Sequence, residues 1–118
     1  VEAMNQTCKA VPPEVNEFEI SGLTTAPSRL VKVPRVAESP VSFECRCTQI
    51  LQMQNLQGES LQTWMVFGEV IGVHIDEKLL NNGIYDTANA QHVLRGGGPA
   101  DYFSIGPEQL FKLHRPSN

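Results

Sequence analysis

The chain has 118 residues, 41% of them hydrophobic and 19% charged, with a formal net charge of -4. That length allows one domain at most, and the composition is that of a globular chain rather than a disordered one. The acidic balance leaves no basic footprint for nucleic acid, and no apolar run approaches the roughly 20 residues of a transmembrane helix.

Residues 1–10 carry Val1, Met4 and Cys8 near helical spacing, and Pro12-Pro13 ends that helix. Val1 rather than Met opens the pattern, the reading of a processed chain or of a segment of a longer one. Glu14 to Ile20 reads as a second short helix with Val15, Phe18 and Ile20 turned inward and Gly22 as its stop. Residues 29–36 are extended, but Pro34 removes a ladder donor and confines any strand there to an edge. Glu38-Ser39-Pro40 is a turn.

Val41 to Thr48 alternates cleanly. Val41, Phe43, Cys45 and Cys47 share one face, and Ser42, Glu44, Arg46 and Thr48 share the other, as in a half-buried strand. The pattern resumes at Leu51 and Met53, with Gln49 out of step, which predicts a bend or bulge. The polar stretch Asn55 to Gln62 is a hairpin connection. Trp64 to Asp76 is the longest apolar run and is rich in β-branched residues. Met65, Phe67, Ile71, Val73 and Ile75 lie on its odd face, interrupted by Glu69, for which Arg46 or Lys32 would be a partner. Trp64, Val66, Gly68, Val70, Gly72, His74 and Asp76 lie on the even face. Two apolar faces predict a central strand covered on both sides, with a polar end beside bare glycine backbone.

Glu77 to Gly83 is a helical or turn segment ending at Asn81-Asn82-Gly83, and Asp86 is a candidate N-cap within Ile84 to Ala90. Arg95-Gly96-Gly97-Gly98-Pro99 is a loop requiring unusual backbone angles. Glu108 to Pro116 alternates weakly, as an edge strand would. Cys8, Cys45 and Cys47 have no scaffold spacing and read as reduced core thiols of a cytoplasmic protein.

No local motif declares a reaction. The glycine loop matches neither the phosphate-binding loop of nucleotide hydrolases nor the dinucleotide fingerprint. Two readings of it stay open. In one, its backbone approaches a ligand, Arg95 pairs an anionic group and Tyr102 stacks or hydrogen-bonds. In the other it is a tight turn with a solvated arginine. His74 and Asp76 share a strand face, but His92 and His114 have no spacing that converges on them, so His74 reads as structural or ligand-orienting rather than metal-binding. No nucleophile–base arrangement is visible.

Taken as an ordered set, several segments carry a resemblance. They are Pro13–Leu23, Val33–Val41, Phe43-Glu44-Cys45, Gly68–Asp76, Leu94-Arg95-Gly96-Gly97 with Tyr102, and Leu113-His114-Arg115-Pro116. In this order and spacing the chain resembles the flavin reductase-like, FMN-binding split-barrel family. The resemblance implies a mainly β fold, an antiparallel six-stranded split barrel with short flanking helices. It implies a homodimer that binds FMN near the subunit interface and, in many members, accepts hydride from NAD(P)H; the alternatives are a non-catalytic module binding FMN or another ligand, or a fragment that cannot bind flavin alone. It carries over His74, Arg95, Gly96 and Tyr102 as flavin-site positions, and no catalytic acid or base. The Ser/Thr- and Asn-containing loops that hold flavin in the family's first strands have no counterpart. The chain therefore looks like the C-terminal part of such a domain, one that needs the missing strands or a partner for stability.

Overall fold

The structure, a computed structural model, describes residues 1–117. It forms two compact units, Glu2–Ile75 and the stretch from Asp76 onward, and both are built mainly from strands and turns.

In the first unit, α1 spans Glu2–Gln6 and α2 spans Glu17–Ser21. The α2 helix starts later than its apolar spacing predicts because Asn16 caps it, its side chain accepting the Phe18 N–H at 3.1 Å. Gly22 closes it as expected, at φ +67° in the left-handed region. Strands β1 (Thr25–Ala26) and β2 (Arg35–Val36) pair antiparallel. The extended stretch expected over 29–36 shrinks to those last two residues. Pro34 has no donor, and the N–H groups of residues 29–31 go to a side chain instead of a ladder.

The dominant element is an antiparallel hairpin of β3 (Val41–Gln54) and β4 (Ser60–Ile75). Asn55 shapes its turn. The Oδ1 atom accepts the Gln57 and Glu59 N–H groups at 3.0 and 2.9 Å, and Gly58 supplies φ +81°. The ladder slips between Gln52 and Gln54, beside the turn, and at two points further along. Glu44 pairs Gly72 but Cys45 pairs Val70, leaving Ile71 extra; Cys47 pairs Gly68 but Gln49 pairs Phe67, leaving Thr48 extra. The slip at Thr48 is the irregularity that Gln49 signals in the sequence.

Three expectations fail here. Among the described residues β4 pairs only with β3, so it is not a central strand with two covered faces; Trp64 and Val66 are 56% and 62% exposed. The alternation of β3 does not set its burial: Phe43 is 62% exposed and Glu44 only 2%, while Cys45, Arg46, Cys47 and Thr48 are all exposed. Cys8, Cys45 and Cys47 are free but exposed, not core thiols. The apolar faces exist as faces, but among the described residues only the 29–31 turn closes on the hairpin, at its far end. No described hydrophobic side chain is buried. The accessible surface is 10189 Å², against roughly 7,500 Å² for two separate globules of these sizes.

In the second unit, Asp76 caps a 3₁₀ turn over Glu77–Leu79, accepting the Lys78 N–H at 3.0 Å. Strands β5 (Leu80–Asn81) and β6 (Ile84–Tyr85) form a tight hairpin. Asn82 (φ +51°) and Gly83 (φ +78°) provide the two consecutive positive φ angles such a turn requires. Asp86 accepts the Asn89 N–H at 3.1 Å, but the helix it was expected to cap is absent and residues 87–91 form turns. Strands β7 (Val93–Arg95) and β8 (Tyr102–Ser104) enclose the glycine loop. The edge strand expected over Glu108–Pro116 is absent. Pro107–Gln109 makes a 3₁₀ turn and the described residues after it are irregular, with Phe111 and Leu113 projecting into solvent.

Candidate functional site

The first cluster is built on Glu44, the one buried residue among those described. One carboxylate oxygen accepts the Arg29 N–H at 2.8 Å, and the other accepts those of Leu30 and Val31 at 2.6 and 3.0 Å. His74 Nε2 lies 2.5 Å from the first oxygen. The Arg29 N–H, and after it the His74 ring, hold the carboxyl at about 2, well below its ordinary 4.5. Glu44 sits opposite Gly72 and His74 opposite Ser42 in the hairpin register, so the two ionisable residues are diagonal neighbours on one face. Gly72 makes room for the turn, since a Cβ there would lie 3.0 Å from Leu30 Cδ1. The outcome is a latch fastening the 29–31 turn across the far end of the hairpin.

Alternation predicts solvent for Glu44, and parity alone cannot find its role. A usable signal is present in the pairing of a carboxylate with glycine opposite and histidine diagonal. Glu69 does stand opposite Arg46 in the register, as anticipated, but the described residues hold no ion pair between them.

The second cluster is the β7–β8 loop. Arg95 and Tyr102 are cross-strand partners, and the guanidinium carbon sits 5.2 Å from the Tyr102 ring centroid. The guanidinium does not reach outward. Its Nη1 donates to the carbonyls of Gly97 and Asp101, the latter at 2.9 Å, and its Nη2 donates to those of Gly98 and Pro99 at 2.8 and 3.2 Å. Gly96 must be bare, because a Cβ there would overlap the Phe103 ring at 2.1 Å. Gly97 and Gly98 hold φ +86° and +57°. Their N–H groups donate to no acceptor among the described residues. The loop is therefore a turn whose carbonyls point in at one cation, with the Gly97 and Gly98 donors turned to no acceptor among the described residues.

Of the four residues singled out from sequence, Arg95, Gly96 and Tyr102 come together in this loop. His74 belongs to the first unit and engages Glu44. A further pair joins Tyr85 and His92, whose hydroxyl and Nε2 are 3.1 Å apart.

Comparison with known proteins gives these features a context. Residues 1–94 match the family model of the flavin reductase like domain. The match ends one residue before Arg95, so the glycine loop lies beyond it. An uncharacterized protein of Halalkalibacterium halodurans is 33% identical over 99% of the chain, which covers 54% of that protein. An uncharacterized protein of Aquifex aeolicus is 35% identical over 70% of the chain and 39% of its own length. Among solved structures, nitrilotriacetate monooxygenase component B from Bacillus cereus superposes with a TM-score of 0.80 at 25% identity, over 94% of this chain and 53% of that one. Flavoredoxin of Desulfovibrio vulgaris (Miyazaki F) superposes with a TM-score of 0.65 at 27% identity, over 85% of this chain and 49% of that one. The chain thus spans about half the length of the relatives it matches.

Proposed function

Since the chain belongs to the flavin reductase like family, we propose that it forms part of an FMN-binding oxidoreductase that passes hydride from NAD(P)H to flavin. The observation that carries this reading is the family match over residues 1–94. The glycine loop beyond it supports the binding half of the proposal.

When bound, the flavin supplies the acceptor for the hydride. This chain's residues serve to hold and orient it. Gly96, Gly97 and Gly98 offer backbone with no side chain in the way, and the free N–H groups of Gly97 and Gly98 suit phosphate or ring oxygens. Arg95 fixes the loop's shape and adds a positive charge beside it. One face of Tyr102 is occupied by Arg95, so its edge and hydroxyl are what it has to offer. His74 orients the latch at the end of β4. None of these groups needs to exchange a proton for hydride transfer to proceed.

In this reading the exposed hairpin is the wall of a six-stranded split barrel. Its remaining strands come from polypeptide corresponding to the other half of the relatives, and two such domains form a cytoplasmic homodimer. The absence of any buried apolar side chain among the described residues favours one further point. Flavin would be held only when the hairpin faces are covered.

The test is to add FMN to the intact protein, record the flavin absorbance that remains after desalting, and follow NADH and NADPH oxidation at 340 nm. Retained stoichiometric flavin with turnover supports the proposal. Retained flavin with no turnover would assign a non-catalytic binding module, and neither retained flavin nor turnover with added FMN would overturn the flavin site altogether.

A further inference from the structure

We propose that Asn82, at the tip of the β5–β6 hairpin, is a site of self-modification, where the chain converts its own asparagine to an aspartyl or isoaspartyl residue without an enzyme. The site lies outside the glycine loop and does not depend on the flavin reading.

Asn82 is followed by Gly83, and both are exposed. The reaction joins these neighbours. The Gly83 backbone nitrogen gives its proton to water or hydroxide and attacks the side-chain carbonyl carbon of Asn82. A bond forms between that nitrogen and Cγ, the Cγ–Nδ2 bond breaks, and ammonia leaves. Water then opens the resulting cyclic imide at either of its carbonyls. Opening at Cγ leaves an aspartyl residue. Opening at the backbone carbonyl leaves an isoaspartyl residue, with an extra methylene in the main chain. Water is consumed as ammonia is released, and nothing is oxidised or reduced.

Asparagine is a thermolabile residue in general, and this one is set apart from the others. Gly83 has no side chain to hinder its nitrogen, and its N–H donates to no acceptor among the described residues. The Asn55 and Asn89 amides donate to carboxylates at 2.7 and 2.6 Å, whereas the Asn82 side chain has no hydrogen bond among the described residues. The Asn16 side chain is committed as well, as the cap that accepts the Phe18 N–H. Glu17, Leu56 and Ala90 follow Asn16, Asn55 and Asn89, so each of those asparagines also faces a more crowded nucleophile.

The fold sets the pace. Asn82 is held at φ +51° and Gly83 at φ +78°, the left-handed pair of a two-residue hairpin turn. Ring closure needs Asn82 to rotate out of that conformation, so the reaction passes through an opened turn. Little resists the opening, because β5 and β6 have two residues each and pair only with each other among the described residues. The two products then diverge. Asp-Gly suits the same turn as Asn-Gly, so an aspartyl product lets the hairpin close again, with a new negative charge on the hollow that Asn82 shares with Asp86. An isoaspartyl product lengthens the loop and breaks the pairing of Asn81 with Ile84.

The experiment is peptide mapping of the intact protein by mass spectrometry after days at mildly alkaline pH, with ammonia release measured on the same samples. The mass gained when OH replaces NH₂ marks each converted site, and electron-transfer fragmentation separates isoaspartyl from aspartyl. The expected result is conversion at Asn82 at least about tenfold faster than at Asn5, Asn16, Asn55, Asn81 or Asn89, and faster again once the chain is unfolded in guanidinium chloride. Asn82→Asp, which keeps the turn chemistry, is expected to abolish the early ammonia release. The proposal is overturned if Asn82 stays intact, if another of these asparagines converts as fast, if unfolding does not accelerate conversion, or if Asn82→Asp releases ammonia at the wild-type rate. The wild-type map decides the matter even where the variant does not fold.

Discussion

Glu44 and Arg95 use one device with opposite signs. A carboxylate gathers three backbone N–H groups and a histidine. A guanidinium gathers four backbone carbonyls and lies over an aromatic ring. Both turn a stretch without regular hydrogen bonding into a defined shape. They differ in burial. Glu44 is 2% exposed, so its hydrogen bonds have no competition from water and the turn depends on its charge. Arg95 is exposed, so water can replace what it holds, and its loop is adjustable. The lesson is that a multiply bonded ion is structural where it is dry and serves positioning where it is wet.

That distinction is open to direct attack. The largest effect belongs to Glu44→Gln, which places an amide NH₂ where an acceptor must face backbone donors. Its thermal midpoint should fall further than that of Arg95→Lys or Gly83→Ala, with flavin affinity lost only as a consequence of unfolding. The pH dependence sharpens the same point. A carboxyl held at about 2 in the folded chain against an ordinary 4.5 stabilises the fold above the unfolded value. That contribution is lost as pH falls through the interval toward 2. Acid titration of the wild type should show this slope, and Glu44→Gln should flatten it. An unchanged slope would mean that the latch is not what acid opens.

Arg95→Lys comes next. A single ammonium does not bridge carbonyls spread along the loop, so flavin affinity should drop about tenfold with little change in thermal midpoint. Lysine should do no better than alanine. Full rescue by lysine would show that charge, not the fork, is what matters. The smallest effect is expected for Gly83→Ala, where φ +78° strains an L-residue. The cost is about 1 kcal/mol, confined to the β5–β6 hairpin and read as faster amide exchange there.

Much of the local structure is legible in the chain. Gly22 as a helix stop, Asn82-Gly83 as a turn, the long hairpin and the slip beside Gln49 all come from backbone chemistry acting within a few residues. The glycine loop is also visible, as is its grouping of Arg95, Gly96 and Tyr102. What the guanidinium does there is not, because its partners are carbonyls, which every residue carries and no pattern marks. Glu44 escapes for a related reason. Its burial comes from a turn 13 to 15 residues away closing over it, and alternation reports only which face a residue is on. Burial on β3 and β4 fails as a prediction because it is a property of whatever lies opposite a face. The apolar character of Phe43, Trp64 and Val66 is real, and they are exposed because β3 and β4 pair only with each other among the described residues.

The slips at Ile71 and Thr48 in the hairpin ladder have a consequence for how this chain behaves in a crowded solution. A ribbon of two long strands with apolar side chains on both faces is a template for sheet growth, since another strand could add to either edge and repeat. Such growth requires an edge that stays flat and in phase. Ile71 and Thr48 each insert an unpaired residue, and each insertion bends the strand and adds twist. An incoming straight strand would lose register within a few residues of either point. The same irregularities therefore act as stops against fibril formation, and deleting Thr48 or Ile71 would remove that protection.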